Sequence, residues 1–317
     1  MAVKISESTD IGAVQYKNGA APSTPASGYV RQYFKGLAPW MKRSDGSASP
    51  FPIPTPGGRL TLTTATPVTT ADVTAAGTLY YTPYQHDIIA LYDGSSDWLP
   101  FQFAELSLSL TGFTTTQPYD IFAYNNAGTV ALEALAWASA TTRATALVYQ
   151  NGRLCKSGAL TRLWLGTIQM AATSQCESSV LRQFVANNYN RVLRPVKKQE
   201  STASWSMASS TWRQTNAAAA NKVEIVIGWP DTLISLCLSQ MQSGGEAFGG
   251  IGVDSVTPTN SPTYLYGGMG YSYLSSILGV GYHAINMCER GIIMAAVTFY
   301  GLYSSVNMTG LEGWVVM

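Results

Sequence analysis

The sequence predicts a mainly β protein, a β-sandwich of jelly-roll type with one short packed helix, preceded by an extended N-terminal arm. Three observations predict it. From Gly57 onward, short runs rich in Thr, Tyr, Leu and Ile are broken by Gly, Pro and Asp-Gly turns at intervals of about ten residues, the spacing of a sandwich or barrel. Glu105–Leu110 (ELSLSL) alternates strictly, as a half-buried strand does. Against that background, Thr161–Val196 is the one stretch with helical spacing.

In chain order, residues 1–56 form the arm and residues 57–317 the β domain. Ala20–Ser27 (AAPSTPAS) is a linker whose Pro22 and Pro25 favour extended structure. Gly28–Lys35 alternates as a short strand, and Lys42–Ser47 carries the Asp-Gly pair of a tight hairpin. Ser49–Pro56 is a second proline joint. A hairpin between two such joints holds too little apolar surface to build its own core, so the arm is expected to dock on a partner or on other copies of the chain.

Within the domain, strands are expected in PGGRLTLTTATPV, GTLYYTPY and DIIALYDGSSDWLPFQF. Tyr119–Tyr124 and Val130–Trp137 flank a turn at Asn125–Gly128, and Thr145–Gln150 and Arg153–Lys156 flank another at Asn151–Gly152. Ser174-x-x-Glu177 reads as a capping box opening a helix whose Val180, Leu181, Phe184, Val185 and Tyr189 share one face, with Asn187–Asn188 at its frayed end. Arg191–Lys197 then resumes an extended pattern, in which Pro195 is tolerable only at an edge or bulge. Further strands fall at Ala203–Trp212, Asn221–Trp229, Thr232–Gln240, Gly291–Tyr300 and Gly313–Val316. The glycine-dense Gly244–Gly252 reads as a close approach of backbones or a mobile loop. No repeat or heptad pattern is present, which sets aside solenoids and coiled coils.

Composition narrows the function. Only 12% of the 317 residues are charged and the formal net charge is +1, so no field marks a nucleic-acid partner. Such low charge suits a surface partly covered by neighbouring copies. Cys155, Cys176, Cys237 and Cys288 show neither metal nor disulfide-scaffold spacing and read as small buried apolar residues. His86 and His283 alone give histidine chemistry little material, and His86 reads as a hydrogen-bonded surface residue. No apolar run is long enough to span a bilayer and MAVKISESTD lacks a signal-peptide core. The expectation is a soluble chain made in a cytoplasm, without membrane insertion.

The densest acidic group, Asp87, Asp93 and Asp97, reads as a turn built on Asp93-Gly94 rather than as paired catalytic carboxylates or a calcium loop. Gly244–Gly252 lacks the lysine and following helix of a phosphate loop. Recognition would fall to aromatics beside Gly/Ser-rich turns: Trp98, Trp229, Tyr264, Tyr266, Tyr271 and Tyr273, with YLYGGMGYSY the best candidate for glycan contact, although aromatics at strand ends also pack cores. No catalytic residue, metal ligand or cofactor is expected.

Several phrases resemble a group of tailed-bacteriophage and prophage virion proteins of fibre, spike or tail type. APSTPASGYVRQYFKG…MKRSDGSASPFP resembles the short N-terminal module of phage fibre proteins: a proline joint, GxVRLYxK and a DG hairpin. PGGRLTLTTATPVTTADVT, GTLYYTPY, IALYDGSSDWLPFQFAELSLSL, YDIFAYNNAGTVALE, TTRATAL, LWLGTI and FVANNYNRVLRP resemble the body of such proteins, so the resemblance spans roughly residues 20–230. Gln32 and Trp164 depart from it. It implies assembly on a virion with other virion proteins of capsid, portal, adaptor or tail, commonly as homotrimers, with no cofactor and no transferable set of functional residues. Pro22, Pro25, Tyr29, Arg31, Tyr33 and Trp40 are then the candidate anchoring residues. The expected role is a non-enzymatic fibre, spike or adaptor, docked by its arm and projecting a β domain toward a host-surface glycan. The part beyond about residue 235 would be distal. A capsid-decorating cement protein and a polysaccharide-binding or -degrading spike are the alternatives.

Overall fold

A computed structural model describes residues 21–35, 38–46, 48–50, 53–292, 296–303 and 306–317; the first twenty residues of the expected arm lie outside them. In the arm, β1 (Val30–Lys35) pairs antiparallel with β2 (Ala38–Arg43), which pairs with β3 (Ala48–Pro50). The Asp-Gly turn joins β2 to β3, with Gly46 at φ +88° and its N–H on the Arg43 carbonyl at 3.0 Å. Trp40 is 1% exposed, packed with Ala48, Tyr33 and Leu99. Leu99 belongs to the domain, so the arm gains from its own chain the apolar cover that its sequence lacks.

The domain opens with β4 (Gly58–Thr61), β5 (Val73–Ala76), β6 (Thr78–Pro83), β7 (Ile88–Tyr92), β8 (Trp98–Gln102) and β9 (Leu106–Ser109). Strands β4, β6 and β9 form one small sheet and β7–β8 a hairpin. Next come β10 (Pro118–Asn126), β11 (Thr129–Ala136), β12 (Leu147–Gln150), β13 (Arg153–Lys156) and the long β14 (Ala159–Ala172). The β10–β11 and β12–β13 hairpins close through Ala127–Gly128 and Asn151–Gly152, all four residues at positive φ, as two-residue loops that follow strand twist require. Leu60, Leu79, Tyr81, Ile89, Leu91, Ile121, Leu163 and Ile168 lie at the centre of the first core.

The expected helix is absent; among the described residues helical geometry is confined to a 3-10 turn at Thr215–Ala217. In its place are β15 (Gln175–Ser178), β16 (Arg182–Gln183) and β17 (Val185–Asn187). Ser174 sits at φ +61° in the β14–β15 hairpin, and its hydroxyl accepts the N–H of Gly112, 62 residues away, rather than that of a helix turn. Glu177 binds the Ser179 hydroxyl at 2.6 Å and Arg182 at 3.1 Å. Asn187 is buried, and its side-chain amide exchanges two hydrogen bonds with the backbone of Leu60. The reason is tertiary. Strand β17 pairs with β14, whereas a free helix of this length is marginal, and Val180, Phe184, Val185 and Tyr189 all favour extended backbone.

The remaining strands are β18 (Leu193–Gln199), β19 (Ser204–Met207), β20 (Arg213–Gln214), β21 (Lys222–Ile227), β22 (Leu233–Ser243), β23 (Glu246–Val253) and β24 (Thr263–Tyr266). They end with β25 (Met269–Ile277), β26 (Gly281–Gly291), β27 (Val297–Tyr300), β28 (Leu302–Tyr303), β29 (Val306–Asn307) and β30 (Gly310–Val316). A curled 14-stranded sheet has the path β11-β10-β14-β15-β16-β21-β26-β23-β24, with β5, β12, β13, β17 and β20 paired beside it, and a six-stranded sheet runs β18-β30-β22-β27-β19 with β25 on the far side of β22. Between them lies a second core: Val223, Ile225, Ile251, Ile285 and Met287 of the larger sheet with Val196, Ile234, Leu236, Leu238, Leu311 and Val315 of the smaller. Of the glycines in Gly244–Gly252, Gly244 and Gly245 form the turn between β22 and β23, with Gly244 at φ +84°, whereas Gly249, Gly250 and Gly252 lie in strand β23. A Cβ on Gly249 would lie 1.7 Å from Oε1 of the buried Gln240 and one on Gly252 would lie 2.2 Å from the Ser255 carbonyl, so a side chain fills the space at the first and close backbone approach accounts for the second. Pro195 is tolerated because β18 is an edge strand.

Candidate functional site

The structure divides the sequence-predicted contact residues. Trp98 is 1% exposed, in the first core with Arg153 4.9 Å over its ring, so it presents nothing to a partner. Trp229 is half-buried, edge-on to Tyr149 at 6.1 Å and tilted against Trp164 at 6.0 Å. Behind it, the 1%-exposed Asp120 accepts hydrogen bonds from Trp164 Nε1 at 3.0 Å, Thr167 Oγ1 at 2.7 Å and Arg143 Nε at 2.8 Å, while Arg143 lies 4.4 Å over Trp137. Trp229 is the lid of a structural polar cluster.

The four tyrosines of YLYGGMGYSY are exposed, but the turn at Gly267–Gly268 sends them to different sheets. Tyr264 and Tyr266, on β24, stack with ring centroids 6.5 Å apart and join Phe248 and Trp212 in an aromatic file on the larger sheet. Arg290 lies over the Phe248 and Trp212 rings at 4.7 and 5.0 Å. Tyr271 and Tyr273, on β25, belong to the outer face of the smaller sheet.

That outer face follows from strict alternation. On β22, Ile234, Leu236 and Leu238 point to the core, so Leu233, Ser235, Cys237, Ser239 and Met241 point outward. Register then lays down two rows across four strands, Pro195–Trp314–Ser235–Ser275 and Lys197–Glu312–Cys237–Tyr273, with the aliphatic pairs Leu193–Val316 and Leu233–Ile277 at the next outward positions. Leu193, Trp314, Ile277 and Tyr273 are 65, 56, 59 and 68% exposed. A groove of about 410 Å³ crosses this face, with Pro195, Lys197, Cys237, Tyr273, Glu312 and Trp314 in its lining. Sequence reasoning missed Trp314 and the aliphatic pairs. The alternation of β22 and β30 was the available signal, but which neighbours extend the face is set by register alone.

Elsewhere Asp87, Asp93 and both histidines are engaged in hydrogen bonds. Asp93 accepts the N–H groups of Ser95, Ser96 and Asp97 at 2.8 to 3.0 Å, in keeping with the turn reading; burial pushes its carboxyl up, but these bonds outweigh that and hold it below the usual range. Asp87 accepts Gln102 at 2.6 Å. His86 Nδ1 accepts the Ile88 N–H at 3.2 Å, and His283 is held between Asp254 at 2.7 Å and the Gly279 carbonyl at 2.9 Å. Burial raises the Cys155 thiol to about 11 and those of Cys176 and Cys288 to about 12. These three are buried as read, while Cys237 is half-exposed in the groove. Among the described residues no three His, Cys, Asp or Glu side chains gather to hold a metal, and no helix is long and apolar enough to cross a membrane.

In the arm, Tyr29 is 70% exposed, but Arg31 is turned onto Ser23, donating to its hydroxyl at 2.5 Å, and so ties the proline linker to β1. Pro25 is buried, Pro22 and Tyr33 are half-buried, and Trp40 is occupied by Leu99.

No protein-family model matches the sequence, and no curated protein does. Among solved structures, the insecticidal δ-endotoxin Cry8Ea1 of Bacillus thuringiensis aligns over 77% of this chain and 49% of that one, at 7% identity and a TM-score of 0.25. The chain therefore spans about half the length of that structure.

Proposed function

We propose that the chain is a non-enzymatic structural component of a tailed-phage virion, of fibre, spike or adaptor type, held on the particle by its N-terminal arm. The observation that carries this reading is the exposed start of β1. Among the described residues β1 is paired with β2 on one side, and Tyr29 and Val30 at its start are 70 and 60% exposed. Exposed extended chain is a template for a strand from another chain. The segment that holds it is the one that resembles the docking module of phage fibres. The two sheets around the second core, with their inward–outward alternation, are read as the jelly-roll-type sandwich that this arm carries. The test is to assemble particles with a chain lacking residues 1–50. Such particles should form without this protein, and its density should vanish from the cryo-EM map; density kept in an unchanged place would overturn the reading.

A further inference from the structure

We infer that the outer face of the six-stranded sheet is a self-complementary interface on which a second copy of this chain docks, face to face about a two-fold axis. This does not rest on the virion reading. At one end of the face the outward pairs Leu193–Val316 and Leu233–Ile277 are wholly aliphatic, and Pro195, Trp314 and Tyr273 continue the apolar surface beside them. Contiguous exposed apolar surface of this kind marks an interaction site rather than free surface. Leucine, isoleucine and methionine interleaved with the aromatics fit a protein partner.

Charge selects which protein. At the outward positions of β18, β30, β22 and β25 the charged side chains are Lys197 and Glu312, one of each sign, neighbours in the same row. They meet loosely in their own chain, at 3.7 Å, with side chains 46 and 68% exposed. A face carrying one base beside one acid is complementary to itself: rotation by 180° sets Lys197 of each copy against Glu312 of the other. Docking would bring both pairs out of water among apolar neighbours, where an ion pair is stronger than at an open surface. A trimer of the kind the resemblance implies would instead set this face against a different surface.

The test is the mass of the full chain in solution by sedimentation equilibrium, with K197E, E312K and their equimolar mixture. Wild type should weigh as two copies. Each variant alone sets like charges opposite twice and should dissociate by at least about tenfold. In the mixture every cross-copy pair is again opposite in sign, so two-copy mass should return, although the clash inside each variant chain is unchanged by mixing. Circular dichroism of each variant confirms that it folds. A monomeric wild type, a trimer, or variants whose mass mixing leaves unchanged would each overturn the inference.

Discussion

Glu224 shows how one side chain carries a charge economy across the molecule. Arg182 reaches it at 2.8 Å, Lys222 at 3.0 Å, and the Tyr282 hydroxyl donates to it. Burial pushes its carboxyl up, but the bonds from Tyr282, Arg182 and Lys222 outweigh that and hold it below the usual 4.5. A carboxylate with a lowered folded pKa adds stability that is full above its unfolded value and lost as pH falls through the folded one. Glu224→Gln should therefore be less stable than wild type at about pH 7, with the gap closing as pH drops below about 4.5, read by urea denaturation across that range. Glu289 works in the opposite sense. Burial raises it despite Arg213 and Trp205, so its contribution is present at low pH and is lost as pH rises through its folded value.

Among the elements, the arm gives the sharpest expectation. Among the described residues its three strands bury Trp40 and Ala48 against Leu99 of the domain. Trp40→Ala should remove about 3–5 kcal/mol from that contact. Proteolysis within 21–50 should then quicken while the melting temperature of the remaining domain stays unchanged. The hairpins here were legible in sequence, since Asp45-Gly46, Ala127-Gly128 and Asn151-Gly152 state their turns locally. The Ser174–Asn187 stretch was not, because β15 is also fixed by β5 and β16 by β21, partners that no local window contains. The same limit applies to the tyrosines. Their exposure could be read from the glycines around them, but the sheet that each strand joins could not, and so Tyr264 and Tyr273 part company across a turn only two glycines long.

At the scale of the whole molecule, two cores share one wall. Val185 points into the first and its neighbour Ala186 into the second. Beside that wall the large sheet narrows to β16, two residues long, which runs parallel to β21. Arg182 straddles this seam, binding Glu177 on β15 and Glu224 on β21. Arg182→Ala would leave the nearly buried Glu177 without its cationic partner, held among the described residues by the Ser179 hydroxyl alone, at about 1–3 kcal/mol after allowing for the two-fifths exposure of the arginine. Calorimetry should show a single melting transition in wild type and two resolved transitions in this variant.

Pro195 has a consequence for how copies can meet. On the open border of β18 it offers no amide, and the next donor on that side, Lys197 N–H, is already spent on the Val180 carbonyl at 2.7 Å. A foreign strand arriving there finds two successive rungs missing, so the sheet cannot be lengthened into a fibril from this border even when the protein is crowded.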